Sequence, residues 1–291
     1  NWPLEPPSLT SGTCVKILIL KPSSLGDVVQ ALPVARLLRR HFPGATIDWC
    51  LNRDLAPLLE GDPDIRRIIP FDRKRWSSPL AIPDILGTVR SLRAERYDWV
   101  IDLQSLARSA TLAWISNGTR TIGLDDRREG APALYDAAIP RASASTHAVD
   151  WYLDVVRALG VPVHWDFDWM PSHPGIVARL SQRGLLASGE WIALQPGARW
   201  ENKRWPVESF AELAGHLLKH NPARRIAILG GPGDRPLGCQ IGDRTGPGVV
   251  NLCGELSLPE MVEFLRQCAL MITNDTGPMH VGVAVGTPVI G

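Results

Sequence analysis

Little in this chain points to a secreted, membrane-spanning or metal-built protein. Its five cysteines (Cys14, Cys50, Cys239, Cys253 and Cys268) are scattered, odd in number and without any C-x-x-C spacing. That argues against a disulfide framework and a structural zinc site, and fits a reducing cytoplasm. No stretch approaches the ~18 consecutive apolar residues of a membrane span. Residues 1–14 form a polar, Pro-rich leader that lacks the basic start and apolar core of a signal peptide. The formal net charge is only +1, so no global field recruits nucleic acid or a membrane. Acidic and histidine residues do not cluster, so no metal is expected. No G-x-x-x-x-G-K-[ST] string occurs, which argues against a P-loop ATPase. Lysine is scarce, at five of the 31 basic residues, and tyrosine occurs three times against 11 tryptophans. Arginine is the better bidentate partner for phosphate and carboxylate. Most tryptophans belong in a core, but such an excess also suits carbohydrate stacking or interfacial anchoring.

What is present is a globular composition, 45% hydrophobic and 21% charged. At 291 residues the chain suits two domains, taking roughly 150 residues for each. Short apolar runs alternate with helical spacing. Strands are expected at 15–20, 45–51, 67–71, 99–103 and 120–123, with helices at 28–40, 84–96, 105–115 and 146–159. The stretch 160–175 (GVPVHWDFDWMPSHPG) has no sustained period and marks a linker. The rhythm then restarts. Strands are expected at 191–194, 225–229, 249–252, 270–273 and 288–290, and helices at 207–220, 235–243, 258–267 and 278–285. This predicts an α/β protein with a leader over 1–14, a first doubly wound parallel-sheet domain over 15–160, a linker over 161–175 and a second such domain over 176–291. Ligands of such sheets sit beyond the carboxyl ends of the strands, in a cleft that two domains would share. Because the last strand has no following helix, part of the second domain is expected to lie beyond Gly291.

Three strand-to-helix loops carry the chemistry. In KPSSLGD at 21–27, Ser23, Ser24 and Gly26 suit close approach to an anion. Asp27 is there either a helix cap or a carboxylate placed to take a proton from a hydroxyl. In QPGARWENKRWP at 195–206, Arg199, Lys203 and Arg204 put three cations on one loop. That is a solvated charged turn or a diphosphate site. In TNDTGPMH at 273–280, Thr276 and Gly277 precede Pro278, which suits a first helical turn whose free N–H groups bind anions. Asp275 fits this site only as a partner for sugar hydroxyls, and His280 is either structural or within reach of the same ligand. A fourth loop, LGGPGDR at 229–235, offers Asp234 as an acceptor for a ribose diol.

These loops, in this order, resemble the ADP-heptose:lipopolysaccharide heptosyltransferases, glycosyltransferase family 9. The strings that carry the similarity are SSLGDVVQALP at 23–33, YDWVIDLQ at 97–104, NKRWP at 202–206 and NDTGPMHVGVAVGTPVIG at 274–291. The resemblance implies a GT-B fold of two Rossmann-like domains and an inverting transfer of heptose from ADP-heptose to the lipopolysaccharide inner core. It implies Asp27 as general base. Lys203, Thr276 and Gly277 would lie on the diphosphate, Asp275 on the donor heptose and Asp234 on the ribose, with Arg199 and His280 nearby. It implies an acceptor region holding Ser23, Ser24, Gln104, Arg73, Lys74, Arg75 and Arg128, with Glu129 beside it. The acceptor would be Kdo-lipid A or a heptosylated core, met at the cytoplasmic face of the inner membrane, with no cofactor. The chain departs from the family at Ala198 and Arg199, where some members carry hydroxyl side chains, and at Ser105, where glycine is usual. The alternatives are an epimerase or transferase acting on another sugar nucleotide, and a non-catalytic nucleotide-sugar binder.

Overall fold

A computed structural model describes residues 14–72, 80, 82–186 and 190–291. Residues 1–13 of the leader, together with Arg73, Lys74 and Arg75, lie outside the described residues. The chain divides into two compact units between Trp169 and Met170.

The first unit runs β1 (Lys16–Leu20), α1 (Leu25–His41), β2 (Thr46–Asn52), β3 (Arg67–Phe71), α2 (Ile82–Glu95), β4 (Trp99–Asp102), α3 (Ala107–Ser116), β5 (Arg120–Asp125), β6 (Ala137–Pro140) and α4 (Ala148–Ala158). All pairings are parallel, in the order β3-β2-β1-β4-β5-β6. The central strands read as continuous apolar runs because helices cover both sheet faces. Ile17 to Leu20 and Val100 and Ile101 have no exposed surface. α1 is buried nearly all round, from Gly26 through Leu38, which explains its weak amphipathic pattern.

The second unit runs α5 (Pro174–Gln182), β7 (Trp191–Gln195), α6 (Val207–His220), β8 (Arg225–Ile228), α7 (Arg235–Thr245), β9 (Val249–Asn251), α8 (Leu258–Arg266), β10 (Leu270–Thr273), α9 (Gly277–Ala284) and β11 (Val289–Ile290). Its parallel sheet has the order β11-β10-β7-β8-β9. Each sheet therefore reverses its winding beside its first strand, at β1/β4 and at β7/β10. These are the switch points where doubly wound sheets open a crevice for ligands.

Several boundaries differ from the sequence expectation, each for a local reason. α1 begins at Leu25, because Ser24 caps it in extended conformation. α3 begins at Ala107 rather than 105. Ser105 adopts a φ of 53°, and Asp102 Oδ1 ties down the N–H groups of Gln104 and Ser105 at 2.9 and 3.2 Å. β6 was not expected at all: it is an edge strand of small residues ending in proline. Nor was α5 expected. The stretch 161–175 is also not a free tether. Arg36 donates to the Trp169 carbonyl within the first unit, and Arg266 donates to the Met170 carbonyl at 3.1 Å within the second.

Candidate functional site

In the first unit the β1–α1 loop and the β4–α3 loop meet at the switch point. Asp27 is the third residue of α1 and closes a capping box: its Oδ2 accepts the Ser24 backbone N–H at 2.9 Å and the Ser24 hydroxyl at 2.7 Å. Its Oδ1 takes no hydrogen bond among the described residues. Capping and chemistry are thus divided between the two carboxylate oxygens, and neither use precludes the other. Beside this loop a cavity of about 220 Å³ is lined by Ser23, Phe71, Gln104, Leu106, Arg108 and Glu129, among others. Gln104 Oε1 is buried there without a partner. Arg128 is exposed and pairs with Asp126 at 3.1 Å. Glu129 accepts the Ala107 N–H at 2.9 Å and so caps α3.

A buried carboxylate holds the β4–α3 loop. Asp102 is fully buried at the end of β4 and, besides the two loop N–H groups, accepts the Tyr135 hydroxyl at 2.8 Å. Burial pushes its carboxyl above the ordinary range, against hydrogen bonds from Ser109, Tyr135, Gln104 and Ser105. The structure also brings in residues that sequence reasoning passed over. Arg108 on the cavity wall makes no hydrogen bond or ion pair among the described residues. Lys21, at the end of β1, is 4% exposed and donates to the Leu103 carbonyl at 3.0 Å. The signal was available: a rare lysine directly ends a buried strand.

In the second unit the β7–α6 loop and the β10–α9 loop meet likewise. Lys203 Nζ pairs with Asp275 Oδ2 at 2.5 Å, both side chains about half exposed. Asn274 fastens the two loops: its Nδ2 donates to the Pro196 carbonyl at 2.8 Å and its Oδ1 accepts the Trp205 N–H at 3.0 Å. Thr276 caps α9 in extended backbone, and its side chain makes no capping bond. Its Oγ1 is buried without a partner, as is Gln195 Oε1 at the end of β7. Two unpaired buried oxygens at a switch point are what a polar ligand would satisfy. Gly277 opens α9, and His280 sits half-buried in its first turn.

Two further expected residues have local partners. The Arg199 guanidinium stacks over the exposed Trp200 ring at 5.4 Å. Asp234 Oδ2 accepts the Gly231 N–H at 2.9 Å. Its carboxylate fills the space a Cβ would take at Gly197, 2.4 Å from that position, and its own Cβ crowds Gly230 at 2.6 Å. Asp234 therefore packs the β8 loop against the β7 loop, a close approach that only glycine permits at both positions. Among the described residues no group of three His, Cys, Asp or Glu is placed to hold a metal ion. Among them, too, no helix is long and apolar enough to cross a membrane.

The comparisons with known proteins bear on family and fold. Residues 85–291 match the model of glycosyltransferase family 9 (heptosyltransferase). The lipooligosaccharide heptosyltransferase 2 of Haemophilus influenzae is 29% identical over 95% of this chain and 82% of its own. Among solved structures, a family 9 glycosyltransferase from Veillonella parvula superposes with a TM-score of 0.82 at 25% identity, over 94% of this chain and 79% of that one. The E. coli heptosyltransferase WaaC with ADP-2-deoxy-2-fluoro heptose superposes with a TM-score of 0.78 at 26% identity, over 94% and 87%. With two parallel sheets of this order, and family strings at both switch points, the chain belongs to glycosyltransferase family 9, the heptosyltransferases.

Proposed function

We propose that this enzyme transfers L-glycero-D-manno-heptose from ADP-heptose to a sugar hydroxyl of the lipopolysaccharide inner core, with inversion at the anomeric carbon. The observation that carries the reading is the second switch point. A lysine, a helix start and the unpartnered buried Thr276 hydroxyl converge there, a set of donors suited to a diphosphate, while Gln195 Oε1 is left to accept from a ligand hydroxyl. Asp27 Oδ1 takes the proton of the acceptor hydroxyl as its oxygen attacks the anomeric carbon. The bond from that carbon to the diphosphate oxygen breaks, and its electron pair leaves with ADP. Lys203 and the N–H groups at Thr276 and Gly277 stabilise the departing charge, an effect commonly worth ~3–4 kcal/mol per donor. Asp275 holds the donor heptose, with His280 beside it and Asp234 reaching the ribose. Ser23, Ser24, Gln104 and Arg128 face the acceptor, Kdo-lipid A or a heptosylated core. Arg73, Lys74 and Arg75 are assigned to the same phosphorylated acceptor by their charge.

Lysine neutralises the diphosphate in this scheme, so no metal or other cofactor is required. The acceptor is lipid-anchored, so the enzyme works in the cytoplasm, in transient contact with the inner membrane and not with nucleic acid. The test is Asp27→Asn, which keeps the cap but cannot accept the proton. Turnover should fall by ~10²–10⁴ while calorimetric ADP binding survives. Near-normal turnover would leave Asp27 a cap and nothing more.

A further inference from the structure

α2 and α3 pack side by side and turn their inner sides to one core, where Leu92 of α2 meets Leu112 and Ala113 of α3 in a cluster with Phe71. Their outer sides are apolar to an unusual degree. Leu92 alone of α2 is fully buried, while Ile82 is 54% and Leu86 48% exposed, and Trp114 on α3 is 62% exposed. With 3.6 residues per turn, Ile82, Leu86, Arg90 and Arg93 fall within one arc of about 80° along α2. The two acidic residues of that helix, Asp84 and Glu95, lie on its opposite side. Glu95 is engaged there by Lys16, Arg66 and Arg67. Arg90 and Arg93 are exposed, and their side chains make no hydrogen bond or ion pair among the described residues. The outer stripe of α3 runs from Arg108 through Thr111 to Trp114, all exposed. Arg108, equally unpaired, stands in the first turn of α3, where the helix dipole disfavours a cation.

We propose that this α2–α3 face docks on an anionic phospholipid bilayer, with Ile82, Leu86 and Trp114 entering the headgroup layer and Arg90 and Arg93 on lipid phosphates. An outer stripe that is both apolar and cationic suits that boundary, where apolar groups leave water and guanidinium groups stay at phosphate level. Tryptophan is enriched at the same depth. Charge selects lipid over a second copy of the chain. A stripe with two unpaired arginines and no carboxylate in its arc is drawn to negative headgroups, whereas a self-complementary contact would set like charges together. Position selects it as well, and here the inference rests on the acceptor being lipid-anchored. Leu106, Arg108 and Ser109, around the start of α3, wall the cavity beside the β1–α1 loop, and Phe71 at the end of β3 lines it too. The outer stripe of α3 therefore begins at the cavity wall, so an acceptor whose lipid stays in the bilayer presents its sugars to the cavity.

The test is sedimentation with vesicles of phosphatidylcholine alone and of phosphatidylcholine mixed with phosphatidylglycerol. The parent should bind the anionic vesicles about tenfold better or more, and the preference should fade at high salt. The pair Arg90→Gln and Arg93→Gln should lower binding to anionic vesicles about 5- to 30-fold and erase most of the lipid preference. The pair Ile82→Gln and Leu86→Gln should lower binding about tenfold or more while keeping the preference. All four positions are exposed, so melting temperatures should stay within about 2 °C of the parent. With the acceptor embedded in anionic vesicles, its KM should rise about tenfold in either pair. With a deacylated, water-soluble acceptor, kcat and KM should match the parent. A parent that ignores anionic vesicles, or pairs that bind them as the parent does, would overturn the proposal. So would a parent that is dimeric in sedimentation velocity and becomes monomeric in the Ile82 and Leu86 pair, because the face would then belong to a second copy. The vesicle arm contains no sugar nucleotide, so its failure removes the docking face alone. Absence of transfer from ADP-heptose to the soluble acceptor would instead remove the proposed function.

Discussion

Lys203 and Asp275, 72 residues apart in the chain, meet at 2.5 Å where the β7–α6 and β10–α9 loops converge. The cation assigned to the diphosphate is therefore occupied before any ligand arrives, and a bound phosphate must share or displace the carboxylate. Exposed pairs of this kind are worth only ~0.2–1 kcal/mol, so the competition is mild but has a definite sign.

Asp275→Asn should consequently bind ADP two- to fivefold more tightly, the equivalent of ~0.4–1 kcal/mol, while transfer from the sugar nucleotide falls because a sugar contact is gone. Calorimetry with ADP beside a transfer assay reads both. Weaker ADP binding in the variant would show Asp275 supporting the phosphate site rather than competing for it.

Lys203→Ala should weaken ADP by ~1.5–3 kcal/mol, the range for a hydrogen bond to a charged group. Adenosine, which lacks the diphosphate, should bind the variant as it binds the parent. Equal losses for the two ligands would make Lys203 a shaper of the pocket and not a phosphate contact.

Thr276 offers a cleaner probe, since its buried hydroxyl has no partner in the free protein. Thr276→Val keeps the branched shape and suits the extended backbone at φ −144° and ψ 171°. The variant should melt no lower than the parent, yet bind ADP ~0.5–1.5 kcal/mol less well. A lower melting temperature with unchanged ADP affinity would contradict this role.

The Asp102–Tyr135 bond predicts a pH signature. Burial raises the Asp102 carboxyl, so the folded protein holds that proton more tightly than the unfolded chain does. The associated stability is present at low pH and is lost as pH rises from the ordinary carboxylate value through the raised one. Tyr135→Phe removes a donor to the ionised form, and its cost should approach ~1.5–3 kcal/mol where Asp102 is charged. That cost should shrink as pH falls. A loss independent of pH, in denaturant titrations of both proteins, would remove Asp102 from the explanation.

Much of the scaffold was legible in the chain because composition changes sharply at its edges. β3, α6 and β10 fall where expected, each bounded by proline, asparagine or charge: Pro206 precedes α6, and Asn221 follows it. β6 escaped notice because two alanines and a proline at a sheet edge carry little apolar signal. α5 was hidden by the aperiodic stretch before it. The loops of the site were legible because a strand followed by glycine, serine and a helix start has few other uses. The pairings were not. Sequence could not show that Lys203 closes on Asp275, nor that Asp234 lodges against Gly197, 37 positions before it. Nor could it show that Lys21 turns inward, because such contacts depend on how strands order themselves within a sheet.

The most direct measurement is the product. The protein is incubated with ADP-heptose and, separately, with UDP-GlcNAc, in the presence of Kdo-lipid A or a heptosylated core, and the acceptor is weighed by mass spectrometry. The account predicts the gain of one heptosyl residue with release of ADP, from ADP-heptose alone, and no such gain with D27N. Transfer from UDP-GlcNAc in preference, or ADP-heptose consumed with no change in any acceptor's mass, would contradict it.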